Sequence, residues 1–191
     1  MRHGDDITMI PDCAPHARHR RAGDVLARFE LSKRRYVLCV GRIDPGRRQL
    51  DLIDAFETAR ISGWKLVLVG SAPPKDEYLA RLENRASVNP DIVLTGYQEG
   101  PALRELYSHA GLFVLPSAAE GQPIALLEAA SYGVPIFASA IPANLFVPLP
   151  RDRFFPVGDI TALARLLRRA AADPSAIEQR YQSVVAALQV G

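Results

Sequence analysis

Two glutamates stand at either end of "EGQPIALLE", residues 120–128, with seven residues between Glu120 and Glu128. Such a pair has three readings: a solvated helix edge, a general acid and base, or the two ends of a grip on a hydroxyl-rich ligand. Pro123 suits the first turn of a helix. The amides around Gly121, Gln122 and Ile124 then fall before or within the first turn. Amides there lack helical partners and can bind anionic or hydroxyl groups.

A second cluster lies in "GRIDPGRRQ", residues 41–49. Gly41 lets the backbone approach a ligand closely. Arg42 and Arg47 flank a Pro-Gly turn that leads into a helix, an arrangement suited to a phosphate or diphosphate. Each charge-assisted hydrogen bond there is worth about 1.5–3 kcal/mol. Arg48 reads as part of a solvated basic turn. Tyr97, in "GYQEG", either flanks a nucleobase or caps the sheet. Ser117 would be a nucleophile only beside a base. The histidine in this part of the chain, His109, shows no orienting acid, so a hydrolase triad is set aside.

These residues sit at the ends of repeating elements. Short apolar runs at 36–41, 64–70, 91–96, 112–117 and 135–139 read as buried parallel strands. Helical spacing appears between them at 47–60, 75–87, 101–110 and 123–132, the last closed by Gly133. "RFFPVGD" is a short extended piece, and helices follow at 160–173 and 175–189. The alternation predicts a doubly wound α/β domain, a Rossmann-like parallel sheet. Such sheets bind ligands at the carboxyl ends of their strands, where both clusters fall.

The 191 residues suit one domain, and 48% hydrophobic content suffices for its core. A net charge of +2 argues against a nucleic-acid partner. "GSAPP" lacks the G-x-G-x-x-G pattern and no Walker A loop is present, which argues against NAD-linked oxidoreductases and P-loop NTPases. Cys39, inside "YVLCVG", reads as a buried thiol. No apolar run approaches the ~18 residues of a membrane span. The polar start "MRHGDDITMIPD" has no signal core. A cytoplasmic protein is expected, with peripheral membrane contact allowed by the basic edge Arg165, Arg168 and Arg169. Cys13, His16 and His19 fall short of a zinc site, because three ligands on an arginine-rich arm leave it incomplete.

In order, "YVLCVGRIDPGRRQLDLIDAF", "KLVLVGSAP", "VLTGYQEGPALRELYSHAGLFVLPSAAEGQPIALLEAASYGVPIFAS" and "IPAN…RFFPVGD" resemble the C-terminal half of a family 4 retaining glycosyltransferase of the GT-B fold. "ITMIPD" is similar to the strand after that family's interdomain linker. The resemblance implies that Arg42 contacts the donor diphosphate. Arg47 stands where the family has lysine, keeping the charge but changing the geometry. It implies that Glu120 lies beside the donor sugar and that Gly121, Gln122, Pro123 and Ile124 line the sugar and diphosphate. Glu128 would accept the ribose hydroxyls. Gln122 and Ala140 depart from the residues common in the family.

Arg42, Arg47 and Glu120 are thus the expected catalytic set, with Gly41, Tyr97, Gly121, Gln122, Pro123, Ile124 and Glu128 binding the donor. The chemistry calls for no metal and no cofactor beyond the nucleotide-sugar substrate. No DxD-type pair follows a strand, so a metal-dependent sugar transferase of the other major fold is not supported. A nucleotide-sugar epimerase of the same fold lacks this glutamate arrangement. The expected organisation is an irregular arm or linker remnant over 1–35 and a nucleotide-sugar-binding domain over 36–191. The acceptor half would then come from an N-terminal domain in cis or in trans. An excised domain, a truncated reading frame, a split subunit and a stand-alone binding module all remain open.

Overall fold

A computed structural model describes residues 17–174 and Ile177. The apolar runs become strands β1 (Tyr36–Val40), β2 (Lys65–Val69), β3 (Ile92–Gly96), β4 (Leu112–Leu115) and β5 (Ile136–Ser139), and Phe154–Phe155 adds β6. All neighbouring pairs are parallel, in the order β3-β2-β1-β4-β5-β6. The sheet is therefore doubly wound, with the order reversing between β1 and β4.

The strands read as unbroken apolar runs because both faces are covered. Alternate residues serve opposite layers. Val37, Cys39, Leu66, Leu68 and Val114 pack with Leu52, Ile53 and Phe56 of α2 (Gln49–Ala59), Leu82 of α3 (Glu77–Val88) and Leu163 and Leu167 of α7 (Ile160–Ala172). Tyr36, Leu38, Val67, Phe113 and Ile136 pack with Leu106 of α4 (Gly100–His109) and with Leu126 and Ala129 of α5 (Ile124–Ser131). Asp76 and Asp159 start α3 and α7 by accepting from the Leu79 and Ala162 amides, each at 2.8 Å. A Cβ at Gly70 would overlap the Gly41 carbonyl oxygen. The end of β2 is thus bare where the loop after β1 lies against it.

Two elements differ from expectation. The helix expected from Arg47 begins only at Gln49, because the Pro-Gly turn tightens into a separate 3-10 turn over Pro45–Arg47. Asp44 caps that turn through the Arg47 amide at 3.2 Å, and Arg48 then adopts a left-handed conformation (φ 55°) that breaks continuity. The arm expected to be irregular contains a helix, α1 (Asp24–Arg28), packed with α4. The carboxylate of Glu105 in α4 accepts from the Gly23 amide at 2.7 Å and the Leu26 amide at 3.0 Å. It caps α1 from a distant part of the chain and places negative charge where the helix dipole favours it. The strand expected at 7–12, Cys13, His16 and, apart from Ile177, the helix expected at 175–189 lie outside the described residues.

Two predictions follow from this packing. Glu105→Ala leaves the α1 amides uncapped and should destabilise the domain by about 1–3 kcal/mol. The urea midpoint should fall and trypsin should cut between residues 17 and 28 faster; an unchanged midpoint and digestion pattern would contradict the capping role. Burial pushes the Cys39 thiol up to about 12, with the Arg47 charge partly opposing it. The folded protein therefore keeps this proton at pH values where an unfolded thiol, near 9, has lost it. In a Cys13→Ser background, Ellman's reagent at pH 8 should label Cys39 only after denaturation.

Candidate functional site

The loops leaving β1 and β4 diverge to opposite faces, which opens a crevice at the carboxyl ends of these adjacent strands. A backbone bond joins the loops, with the Ala118 amide donating to the Gly46 carbonyl at 2.8 Å. Side chains join them again, since Nη1 of Arg47 forms an ion pair with Oε1 of Glu120. Only 4% of the Glu120 side chain and 23% of the Arg47 side chain remain exposed. A carboxylate so enclosed requires a cation and hydrogen bonds to stay charged.

Ser117 supplies one of those bonds, its hydroxyl donating to Oε1 of Glu120 at 2.8 Å. The Ser117 carbonyl accepts from the Ser139 hydroxyl at 2.5 Å. Asn144, in α6 (Pro142–Leu145), donates to the carbonyl and hydroxyl oxygens of Ser139 at 3.0 and 3.1 Å. Ser117, Ser139 and Asn144 are all fully buried. This chain extends support for Glu120 from β4 across β5. Ser117 is thus a donor to Glu120, not a nucleophile. His109 closes α4 at the amino end of β4, while Ser117 follows its carboxyl end. Burial, and then the Lys33 charge, lower the affinity of His109 for a proton.

Arg42 is held by its backbone and left loose at its tip. The Gln49 side chain, itself buried, donates to the Arg42 carbonyl at 2.7 Å. The Arg42 guanidinium is 81% exposed and, among the described residues, pairs with Asp44 alone, at 3.8 Å. Asp44 lies equally far from Arg47 and so sits between the two arginines. Arg48, expected to be a solvated turn residue, is instead bonded to Asp51 at 2.6 Å. A Cβ added at Gly41 or Gly121 would meet nothing within 4 Å, so both glycines border open space.

At the start of α5, Gly121 and Gln122 are exposed and Pro123 is buried. The Ile124 amide, expected to face a ligand, already donates to the Gln122 carbonyl at 2.9 Å. Pro123 as the N-cap closes this tight turn and occupies that donor. Glu128 lies about one turn into α5, half-buried. Its Oε2 accepts from the Tyr107 hydroxyl at 3.0 Å. Tyr97 follows the edge strand β3, is 66% exposed and donates to Glu99 at 3.0 Å. That hydrogen bond raises its phenol above the usual value. Such exposure removes the sheet-capping role and leaves the ring surface open.

Features outside the crevice account for other charges. A groove of about 830 Å³ between α2 and α7 is lined by Asp54, Glu57, Arg60 and Arg168, among others. Its acids are engaged by Arg85 at 2.7 and 2.5 Å. Arg168 donates to the Thr58 and Ala59 carbonyls, and Arg169 to Asp152, so two of the three arginines on the basic edge are committed within the fold. Among the described residues no cluster of three or more His, Cys, Asp or Glu is placed to hold a metal. No described helix is long and apolar enough to cross a membrane.

Sequence reasoning placed Arg42, Arg47, Gly41, Glu120, Gly121 and Gln122 at this crevice. It missed Asp44, Asn144, Ser139 and Tyr107. Of these, only Asp44 carried a local signal, as the residue before a Pro-Gly turn.

Residues 34–173 match the family described as glycosyl transferases group 1. The amylovoran biosynthesis glycosyltransferase AmsD of Erwinia amylovora is 31% identical over 119 residues, covering 62% of this chain and 32% of its own. Sucrose-phosphate synthase from Thermosynechococcus elongatus superposes with a TM-score of 0.72 at 27% identity, covering 89% of this chain and 45% of that one. HepE of Anabaena, solved in complex with UDP, shares the fold with a TM-score of 0.76 at 16% identity, over 86% of this chain and 46% of its own. The chain thus spans about a third to a half of the length of these proteins.

The enclosed ion pair yields a stability prediction. Arg47→Ala strands the Glu120 carboxylate and should cost on the order of 3 kcal/mol, the low end for a broken buried pair because Arg47 is partly exposed. Adding Glu120→Gln should recover most of the loss. Chemical denaturation of the single and double variants measures both, and equal losses in the two would show the pair to be uncoupled.

Proposed function

The chain belongs to the glycosyl transferases group 1 family, and from that premise we propose that it forms the donor-binding half of a retaining glycosyltransferase of the hexosyltransferase type. The observation that carries this reading is the Arg47–Glu120 pair at the reversal of strand order, with the exposed guanidinium of Arg42 beside it. A nucleoside diphosphate leaving a sugar carries growing negative charge. Arg42 meets it with an exposed cation, Arg47 with a partly buried, paired one, and Gly121 and Gln122 with amides that have no protein acceptor among the described residues. Removing one such preorganised stabiliser typically costs about 10²–10³ in rate. These groups neutralise the leaving group without a metal, and no cofactor is required.

Glu120 meets its protein partners Arg47 and Ser117 through Oε1. Oε2 then accepts from a sugar hydroxyl, with the adjacent Gln122 side chain as a second sugar contact. A carboxylate whose charge is already compensated suits hydrogen bonding more than proton abstraction. Glu128 takes the ribose hydroxyls, Gly41 and Pro123 shape the floor, and the open ring face of Tyr97 flanks the base. The complex of the similarly folded HepE with UDP supports a nucleotide as the class of ligand.

The acceptor half is supplied by an N-terminal domain in cis or in trans, and this chain alone transfers nothing. The relatives are about twice as long as this chain, which supports that division. Ile124 and the pair Leu145 and Phe146 follow the carboxyl ends of β4 and β5, and their exposure supports it as well. The assembled enzyme works in the cytoplasm, with peripheral contact to membranes that carry lipid-linked acceptors.

Calorimetry with UDP, GDP and ADP and their sugars tests the donor site. One of them should bind, and Arg42→Ala or Glu128→Ala should each weaken it by about tenfold or more, the value of a hydrogen bond to a charged group. No binding of any nucleotide by the folded chain would overturn the reading.

A further inference from the structure

Among the described residues no cation holds Glu128. The hydroxyl of Tyr107, on α4, lies 3.0 Å from its Oε2 and 3.3 Å from the Ala125 carbonyl. A phenol has one proton to give, and a carboxylate is the stronger acceptor. The ring that carries this hydroxyl cannot turn away. Tyr107 is 1% exposed. Tyr132 stacks on it at 5.3 Å between centroids and 14° between planes, and Phe113 lies 6.0 Å away. His19 packs edge-on against Tyr132, also at 5.3 Å. Burial first, and the Glu128 charge second, raise the phenol well above its usual value, so it stays a donor throughout the neutral range.

A glutamate on a helix surface samples several rotamers, and ordering it costs entropy at the moment of binding. Here one oxygen is pinned in advance from a neighbouring helix. We propose that Tyr107 is a positioning residue for ribose recognition: it holds Oε2 of Glu128 and thereby aims Oε1 at the ribose hydroxyls of the donor. This rests on the reading of Glu128 as the ribose acceptor. The neutral phenol fixes the carboxylate without cancelling its charge, so the free oxygen remains a strong acceptor. Tyr107→Phe keeps the stacked ring and deletes only the hydroxyl.

The test compares affinities of UDP, GDP and ADP with those of their 2′-deoxy forms, by calorimetry, for the wild type, Tyr107→Phe and Glu128→Gln. The wild type should prefer the ribose form of the nucleotide it binds, and Glu128→Gln should abolish the preference. Tyr107→Phe should cut the preference by about tenfold while leaving affinity for the deoxy form unchanged. A general packing defect would weaken both forms alike, which overturns the proposal. A full ribose preference in Tyr107→Phe, alongside its loss in Glu128→Gln, overturns the role of Tyr107 and leaves Glu128 standing. Retention of the preference in Glu128→Gln overturns both. Absence of nucleotide binding by the wild type removes the donor site itself. A crystal structure of Tyr107→Phe adds a readout without ligand: Glu128 should leave its present rotamer, and an unmoved carboxylate counts against the proposal.

Discussion

The Arg47–Glu120 pair can form only because β1 and β4 lie side by side although two other strands separate them in the chain. That adjacency is where the winding of the sheet reverses, so the two loops part and leave a crevice whose floor the ion pair closes. The cost of enclosing a carboxylate is offset by the guanidinium and by the Ser117 hydroxyl, while the backbone bridge from Ala118 to Gly46 ties the two loops together. Ser139 and Asn144 carry the bracing on to β5. The crevice is thus tied to several strands at once, and its geometry is a property of the sheet.

The two glutamates turn out to be built alike and charged differently. Each gives one oxygen to the protein, Oε1 of Glu120 to Arg47 and Ser117, Oε2 of Glu128 to Tyr107. Each keeps the other oxygen without a described protein partner. Glu120 is nearly enclosed and neutralised, whereas Glu128 is half-exposed and held by a neutral donor. Groups so prepared are suited to accepting hydrogen bonds at fixed places. They do not form an acid–base couple, which would need one carboxyl to keep its proton in an apolar pocket.

The strands were legible because a parallel strand covered on both faces must be apolar throughout, as "YVLCV" and "LFVL" are. Arg42, Arg47 and Glu120 were legible because strand ends are where such sheets bind ligands. The remainder depended on partners distant in the chain. Helix α1 has weak local signals, and its cap, Glu105, comes 82 residues after Gly23. Nothing near Tyr107 marks it as the partner of Glu128. The Ile124 amide was misjudged because Pro123 suggests an open first turn, while the chain closes on the Gln122 carbonyl. Local pattern reports burial and breaks; it does not report which side chains meet.

The strand order also dictates a sequence of events during synthesis. β1 acquires β2 early, but its other edge pairs Val37 with Leu112 and Leu38 with Phe113, which emerge from the ribosome much later. Until then a nascent chain carries an apolar strand with one open edge, next to arginines that have no Glu120 to meet. Open edges of this kind are templates for wrong pairing. Contacts between residues far apart in the chain are also slow to form. The crevice is therefore among the last parts of the domain to assemble, and a chain that stalls before β4 is a candidate for chaperone capture rather than a smaller version of the fold.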